Sequence, residues 1–123
     1  MQELSPVGIY GATGPFADEV NGAYIPIEER LNGKTVYSKL GDAAKCLYFA
    51  TNKKWWVTYT VYAKEGELIG YAHTEEGLSH PTLAKQWNVF DGNSFQRQPV
   101  VSSVMVKLFN PFLHAVFFSR NNK

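Results

Sequence analysis

Short apolar runs alternate with turn-forming residues along most of the chain. The runs are VGIY, AYIPI, TVYSK, CLYFA, WWVTYTVY, ELIGYAH, WNVF and PVVSSVMVKLF. Between them stand Gly11, Asn21-Gly22, Asn32-Gly33, Gly41-Asp42, Gly66, Gly77 and Asp91-Gly92. Asn-Gly and Asp-Gly favour tight hairpins because both residues tolerate positive φ. This punctuation predicts an all-β fold, a single antiparallel β-sandwich or barrel of about 8–10 short strands with at most two helical turns. The two helical candidates are PIEER from Pro26, closed by Asn32-Gly33, and SHPTLAKQ from Ser79, with Ser79 as cap. DAAKCLYF from Asp42 fits either class, and the turn at Asn52-Lys53 places its end, Cys46 to Ala50, in a strand. GATGPF reads as a turn leading into Val20 to Ile27.

The run from Trp55 to Tyr62 alternates as a strand does, so neighbouring side chains point to opposite faces. One face carries Trp55, Val57, Tyr59 and Val61 and is expected to be the core face. The other carries Trp56, Thr58, Thr60 and Tyr62, the mixture of a solvated face. Trp87 and Val89 of KQWNV match Trp55 and Val57 of KKWWV, and Asn88 stands where Trp56 does. Trp55 and Trp87 are therefore expected inside. Trp56 with Tyr62 outside would form an aromatic platform able to stack on sugars, bases, proline-rich peptides or methylated cations. The competing reading is that Trp56 packs under a long loop or the C-terminal tail.

The C-terminal end is the most apolar part. Lys107, Asn110, Pro111 and His114 interrupt it, so it predicts no membrane span, which needs about 20 predominantly apolar residues. It reads as two strands, Val100 to Phe109 and Phe112 to Phe118, split at Asn110-Pro111. In the first, Val100, Val104, Val106 and Leu108 share the expected core face. In the second both faces are apolar and both need cover. Leu113 and Phe117 are accordingly candidate contact residues, with homodimer formation as their use. The alternative is that this tail folds back to close the domain's own barrel.

The length, 123 residues, points to one domain over residues 1–123. Hydrophobic residues are 45% and charged residues 19%, a globular and not a disordered balance. The aromatic share, 15%, favours pleated structure. A net charge of +1 with no basic stripe argues against nucleic acid as partner. Cys46 is the only cysteine, so no internal disulfide forms. Together with the absent glycosylation sequons and an N-terminus unlike a signal peptide, this suggests a cytoplasmic location.

Candidate chemistry is sparse. HTEEGLSH separates His73 from His80 by a spacing unlike zinc-ligand patterns, and His114 stands alone. Cys46 fits a small buried hydrophobe better than a nucleophile. GATGPF lacks the Lys-Ser/Thr of a phosphate loop. The acidic pairs Asp18-Glu19, Glu28-Glu29 and Glu75-Glu76 read as solvated loops. No metal, no cofactor and no catalytic residue are expected.

GATGPFADEVNGAYIP, NGKTVYSKLGD, LYFATNKKWWV and QWNVFDGNSFQRQPVV, in that order, resemble a β-rich repeat domain of large uncharacterised proteins of protists and algae. The domain often occurs in tandem there, sometimes beside ankyrin repeats. The likeness covers residues 7–101 and leaves the apolar tail, 102–118, without a counterpart. It implies a structural or interaction unit without known catalysis. The family position of Trp56 is usually polar, so the tryptophan is a departure. The function expected is therefore a non-enzymatic protein-interaction or structural module with a protein partner. The alternative is a small-ligand domain of carbohydrate type, using Trp56 and Tyr62 as stacking residues. The purified chain should carry no stoichiometric metal; one equivalent by elemental analysis after a chelator wash would contradict the reading.

Overall fold

A computed structural model describes residues 4–106. Among them, nine strands form one antiparallel sheet: β1 (Val7–Tyr10), β2 (Gly22–Leu31), β3 (Lys34–Lys39), β4 (Lys45–Phe49), β5 (Lys54–Tyr59), β6 (Ala72–Glu76), β7 (Trp87–Phe90), β8 (Phe95–Arg97) and β9 (Ser102–Met105). Two short helices, α1 (Ala17–Val20) and α2 (Thr60–Glu65), and a 3₁₀ turn at Pro81–Leu83 interrupt them. The spatial order is β8-β7-β6-β5-β4-β3-β2-β1-β9. Each strand to β8 pairs with the next in the chain, and β9 returns to the far edge beside β1. Laid flat, nine strands would put β8 and β9 about 38 Å apart. The chain from Arg97 to Ser102 reaches at most about 17 Å. The sheet must curl, and it does so into a half-barrel.

The interior is built as alternation dictates. Ile9, Tyr24, Tyr37, Leu47, Trp55 and Val57 join Trp87 and Val89 in one buried cluster, into which Val20 of α1 also packs. Both interior indoles are anchored: Trp55 Nε1 donates to Leu78 O at 3.0 Å and Trp87 Nε1 to Ser103 Oγ at 3.1 Å.

The turn chemistry sorts by local demand. Asn32 and Gly33 both hold positive φ (52° and 82°), the requirement of a two-residue hairpin between β2 and β3. That hairpin is why PIEER is strand and not a helical turn: Pro26 pairs with Tyr37 and Leu31 with Lys34, with a register shift between Pro26 and Arg30. Asn21-Gly22 makes no hairpin. Asn21 pairs instead with the backbone of Ala12, accepting from its N–H at 2.9 Å and donating to its carbonyl at 3.0 Å. Gln98 does the same to Thr13, at 2.9 and 3.0 Å. Two amide side chains thus hold the GATG loop as a neighbouring strand would. The expected turn at GATGPF is present, and α1 follows before the next strand. In the 3₁₀ turn the cap is His80, whose ring accepts from Thr82 N–H, and not Ser79.

Two further expectations are corrected. β5 ends at Tyr59, and Thr60–Glu65 is helical. Ala63, Lys64 and Glu65 followed by Gly66 carry the helix signal, and Gly66 (φ 75°) closes the helix through its own N–H and that of Glu67. The link after α2 then runs back across the outer face of the sheet. Thr58 Oγ1 donates to Ile69 O at 2.5 Å, and a Cβ at Gly70 would meet Val57 O at 2.5 Å and the Trp56 ring at 2.9 Å. Trp56 is therefore not solvent-facing. It is 5% exposed, in a second buried cluster with Val36, Cys46, Tyr48, Ala50 and Ala63. The loop-covered alternative is the observed one. The second correction is at β9, where Val101 (8% exposed) and Ser103 point inward while Val100 (74%) and Val104 point out. The reversed register puts the Ser103 hydroxyl where Trp87 needs an acceptor. Leu108, Leu113, Phe117 and the expected strand Phe112 to Phe118 lie outside the described residues.

Since both indoles of β5 are buried, Trp55→Ala and Trp56→Ala are each expected to cost about 3–5 kcal/mol. Denaturant melts check this, and a loss under about 1 kcal/mol for Trp56→Ala would restore the solvent-facing assignment.

Candidate functional site

Strand ends converge at one rim of the half-barrel: the last residues of β3, β5 and β7 and the first of β4 and β6. Aromatic residues occupy several of these positions. Tyr59 ends β5, Tyr71 precedes β6, Phe90 ends β7, and Phe16 stands just before α1. Their rings touch in succession: Tyr59–Tyr71 at 5.8 Å, Tyr71–Phe16 at 5.4 Å and Phe16–Phe90 at 5.7 Å between centroids. The contact continues both ways. Tyr62 on α2 lies 5.7 Å from Tyr59. From Phe90 the chain of rings passes to Phe95 (5.3 Å), His73 (4.6 Å) and Trp56 (4.7 Å). All but the terminal Trp56 are half-buried or exposed. The result is a continuous aromatic band from the outer face over the rim, each contact in the range where ring pairs attract.

Beneath the middle of the band lies an ion cluster. Lys45, 7% exposed, bonds Glu19 Oε1 at 2.6 Å and Asp42 Oδ2 at 2.5 Å. Its ammonium also sits 5.2 Å from the centre of the Tyr59 ring, a cation–π contact. Hydrogen bonds that the Lys45 ammonium donates to Asp42 and Glu19 hold its pKa above the ordinary lysine value. The Lys45 hydrogen bond in turn holds Asp42 below the ordinary carboxylate value. Lys39, also buried, has a different environment. It donates to the carbonyls of Asp18 (2.6 Å) and Glu19 (2.9 Å) at the end of α1, and desolvation lowers its pKa. Tyr24 Oη donates to Val20 O at 2.6 Å. Two lysines and a tyrosine thus fasten α1 across the rim. Burial, then a hydrogen bond with Tyr59, pushes the Tyr71 phenol up to about 12.

At the opposite rim His80 Nδ1 lies 2.7 Å from Thr82 Oγ1 and accepts from Thr82 N–H at 3.3 Å. That assigns the proton to Nε2, which faces Tyr37 Oη at 3.2 Å. Each ring nitrogen is used in holding the 3₁₀ turn against the barrel. Cys46 is buried under the outer-face cluster, and desolvation pushes its thiol up to about 11, the state of an unreactive cysteine. Among the described residues no group of three His, Cys, Asp or Glu side chains is placed to hold a metal ion, and no helix is long and apolar enough to cross a membrane.

Of the residues singled out from sequence, Trp56 and Tyr62 share no platform. They stand at opposite ends of the band, one buried and one on a helix. Leu113 and Phe117 lie outside the described residues. The middle of the band, Phe16, Tyr59 and Tyr71, was not foreseen. Its signal in the sequence is an aromatic just where a strand ends or begins, visible only once the strand limits are known. No protein-family model, curated protein or solved structure matches the chain.

Desolvation lowers the pKa of both His73 and His80. A base whose folded value lies below its unfolded value of about 6.5 is protonated first in the unfolded chain. The stability it contributes is present above that value and lost as pH falls through it. The urea midpoint should therefore drop between pH 7.5 and 5.5, and the drop should shrink in His80→Gln and His73→Gln. An unchanged slope in both would contradict the assignment.

Proposed function

We propose that this chain is a non-enzymatic protein-interaction module and that the aromatic band is its binding face. The observation that carries the reading is the run of half-exposed rings at the rim, Phe16, Tyr71, Tyr59 and Tyr62, with the Tyr59 ring seated against Lys45. Aromatic side chains that keep a polar atom in water and are fixed by packing lose little entropy on contact, which is why they anchor interfaces. The resemblance of residues 7–101 to tandem repeat domains supports an interaction or structural role. The single buried thiol supports action in a reducing, cytoplasmic setting. Leu113 and Phe117 are proposed as a further contact surface, used between two copies of the chain.

A carbohydrate ligand is the second reading. It is favoured by polar side chains beside Phe95 and His73 of the band, where Asn88 stands opposite both His73 and Arg97 in the register. Such groups meet hydroxyls while rings meet sugar faces.

The test is a pull-down from the source cell with the intact chain and with Tyr59→Ala, Tyr62→Ala and a Leu113→Asp/Phe117→Asp double variant. A protein captured by the wild type should be lost with the two tyrosine variants. The double variant should keep that capture but run as a monomer in light scattering. A capture indifferent to Tyr59 and Tyr62 would overturn the band as binding face.

A further inference from the structure

Among the described residues the sheet has two edges, β8 and β9, and they are finished differently. β8 is three residues long, ends on the exposed Arg97 and runs into Gln98-Pro99. A short strand, a charge and a proline are the usual means of stopping another strand from adding on. β9 has neither charge nor proline in Ser102–Met105, and it pairs with β1 without a bulge. The register shows which of its backbone groups are used. Val106 N–H donates to Pro6 O at 2.8 Å. Along an antiparallel strand these groups turn to alternate sides, so Val104 and Ser102 also face β1, opposite Gly8 and Tyr10. Ser103 and Met105 turn their N–H and C=O to the other side, where no backbone partner stands among the described residues.

This edge is apolar on both faces. Val104 and Tyr10 are exposed on the outer one. Met105, 56% exposed, shares the inner one with Leu83 of the 3₁₀ turn that β9 contacts. The chain that continues from this edge, KLFNPFLHAVFF from Lys107, is apolar at both alternating sets of positions after its Asn-Pro. Asn-Pro favours turn initiation. A turn opening at Asn110 leaves Phe109 as the last paired residue before it, and counting back by twos reaches Lys107, Met105 and Ser103. Met105 and Ser103 are the residues whose groups the sheet leaves unpaired. A turn opening one residue earlier or later would select Val106 and Val104, which β1 already holds.

We propose that the free edge of β9 is a strand-docking site and that its occupant is the chain's own segment, residues 112–118, folded back as a tenth strand. That segment is tethered a few residues from the edge, at an effective concentration of the order of millimolar, which a second copy in solution does not match. With a turn of two or four residues, Val116 and Phe118 take the inner face with Met105, and Leu113 and Phe117 take the outer face with Val104. The reading of Leu113 and Phe117 as a contact between copies gains a surface in this way, but the docking does not rest on it.

The experiment follows amide exchange of the intact chain by NMR at low and high protein concentration, beside a Val116→Asp/Phe118→Asp variant. Val104 and Val106, bonded to β1, report that β9 is in place. Met105 reports the docking, because an exposed residue whose N–H points off the edge has no other protection. Slow exchange at Met105 is expected at both concentrations, and exchange at least about tenfold faster in the variant while Val104 and Val106 stay slow. Leu113→Asp/Phe117→Asp should leave Met105 slow. Fast exchange at Met105 in the intact chain, beside slow Val104 and Val106, would show an empty edge and overturn the proposal. Protection at Met105 that grows with concentration would overturn it too, since the added strand then comes from a second copy. If the variant fails to fold, nuclear Overhauser contacts in the intact chain decide: contacts between Met105 and residues 112–118 support the docking, and their absence overturns it. A monomeric chain with Met105 protected keeps the docking and removes the contact between copies.

Discussion

The buried hydroxyl of Ser103 joins three parts of the molecule that are distant in sequence. It accepts from the Trp87 indole at 3.1 Å and donates to the Pro81 carbonyl at 2.8 Å, while its own strand, β9, pairs with β1. A buried donor or acceptor left without a partner costs about 1–3 kcal/mol. This one hydroxyl satisfies two such groups and fixes β9 against the core of β7. The curl of the sheet depends on that position, because β9 is where the far edge is completed. The Gln98 amide on Thr13 and the Asn21 amide on Ala12 fasten the same seam from the loop side. Gly11 belongs there as well: a Cβ on it would meet Val100 O at 2.7 Å.

With the seam closed, α1 is obliged to lie across one rim, and the contents of that rim follow. Lys39 and Lys45 are the terminal inward residues of β3 and β4. A lysine at such a position cannot reach bulk water without crossing the rim. Lys39 finds helix-end carbonyls and Lys45 finds carboxylates. Of the carboxylates, Glu19 is carried by the helix that the lysines hold, and Asp42 by the turn between β3 and β4. The middle of the aromatic band meets this lattice at Tyr59, whose ring lies against the Lys45 ammonium, so that ring is positioned by buried charge as much as by packing. The opposite face has a simpler logic. Six residues of helix and a short link cover β4 and β5, and Gly70 lets the link pass within contact distance of Trp56.

Much of the fold was legible from the chain because period and punctuation agreed. β1, β3, β4 and β7 lie where their apolar runs lie, and Trp55, Trp87 and Cys46 are buried as expected. The failures have specific causes. PIEER carries local helix chemistry, and the Asn32-Gly33 hairpin overrode it. The run ending at Tyr62 looked like unbroken strand because Thr60, Val61 and Tyr62 are good strand residues, although Ala63 to Gly66 already spelled a helix and its stop. Trp56 sat on a face that alternation marks as outer, and alternation says nothing about what crosses that face later in the chain. The candidate site was the least legible part. Phe16, Tyr59, Tyr71 and Phe90 meet only after three-dimensional closure, and nothing in their spacing distinguishes them from core aromatics.

The place of β9 has a consequence for the order in which this molecule can be made. Val7 pairs with Met105 and Gly8 with Val104, so the first of the described strands to be synthesised waits for the last of them. At ordinary rates of synthesis that interval is on the order of 5–20 s. Throughout it the outer edge of β1 offers unpaired N–H and C=O groups to solvent and to any uncharged strand of like pattern. In tandem copies or at high local concentration, the β9 of a neighbouring copy can satisfy those groups as well as the chain's own. The same late strand that completes a single copy is therefore the element best suited to exchange between copies.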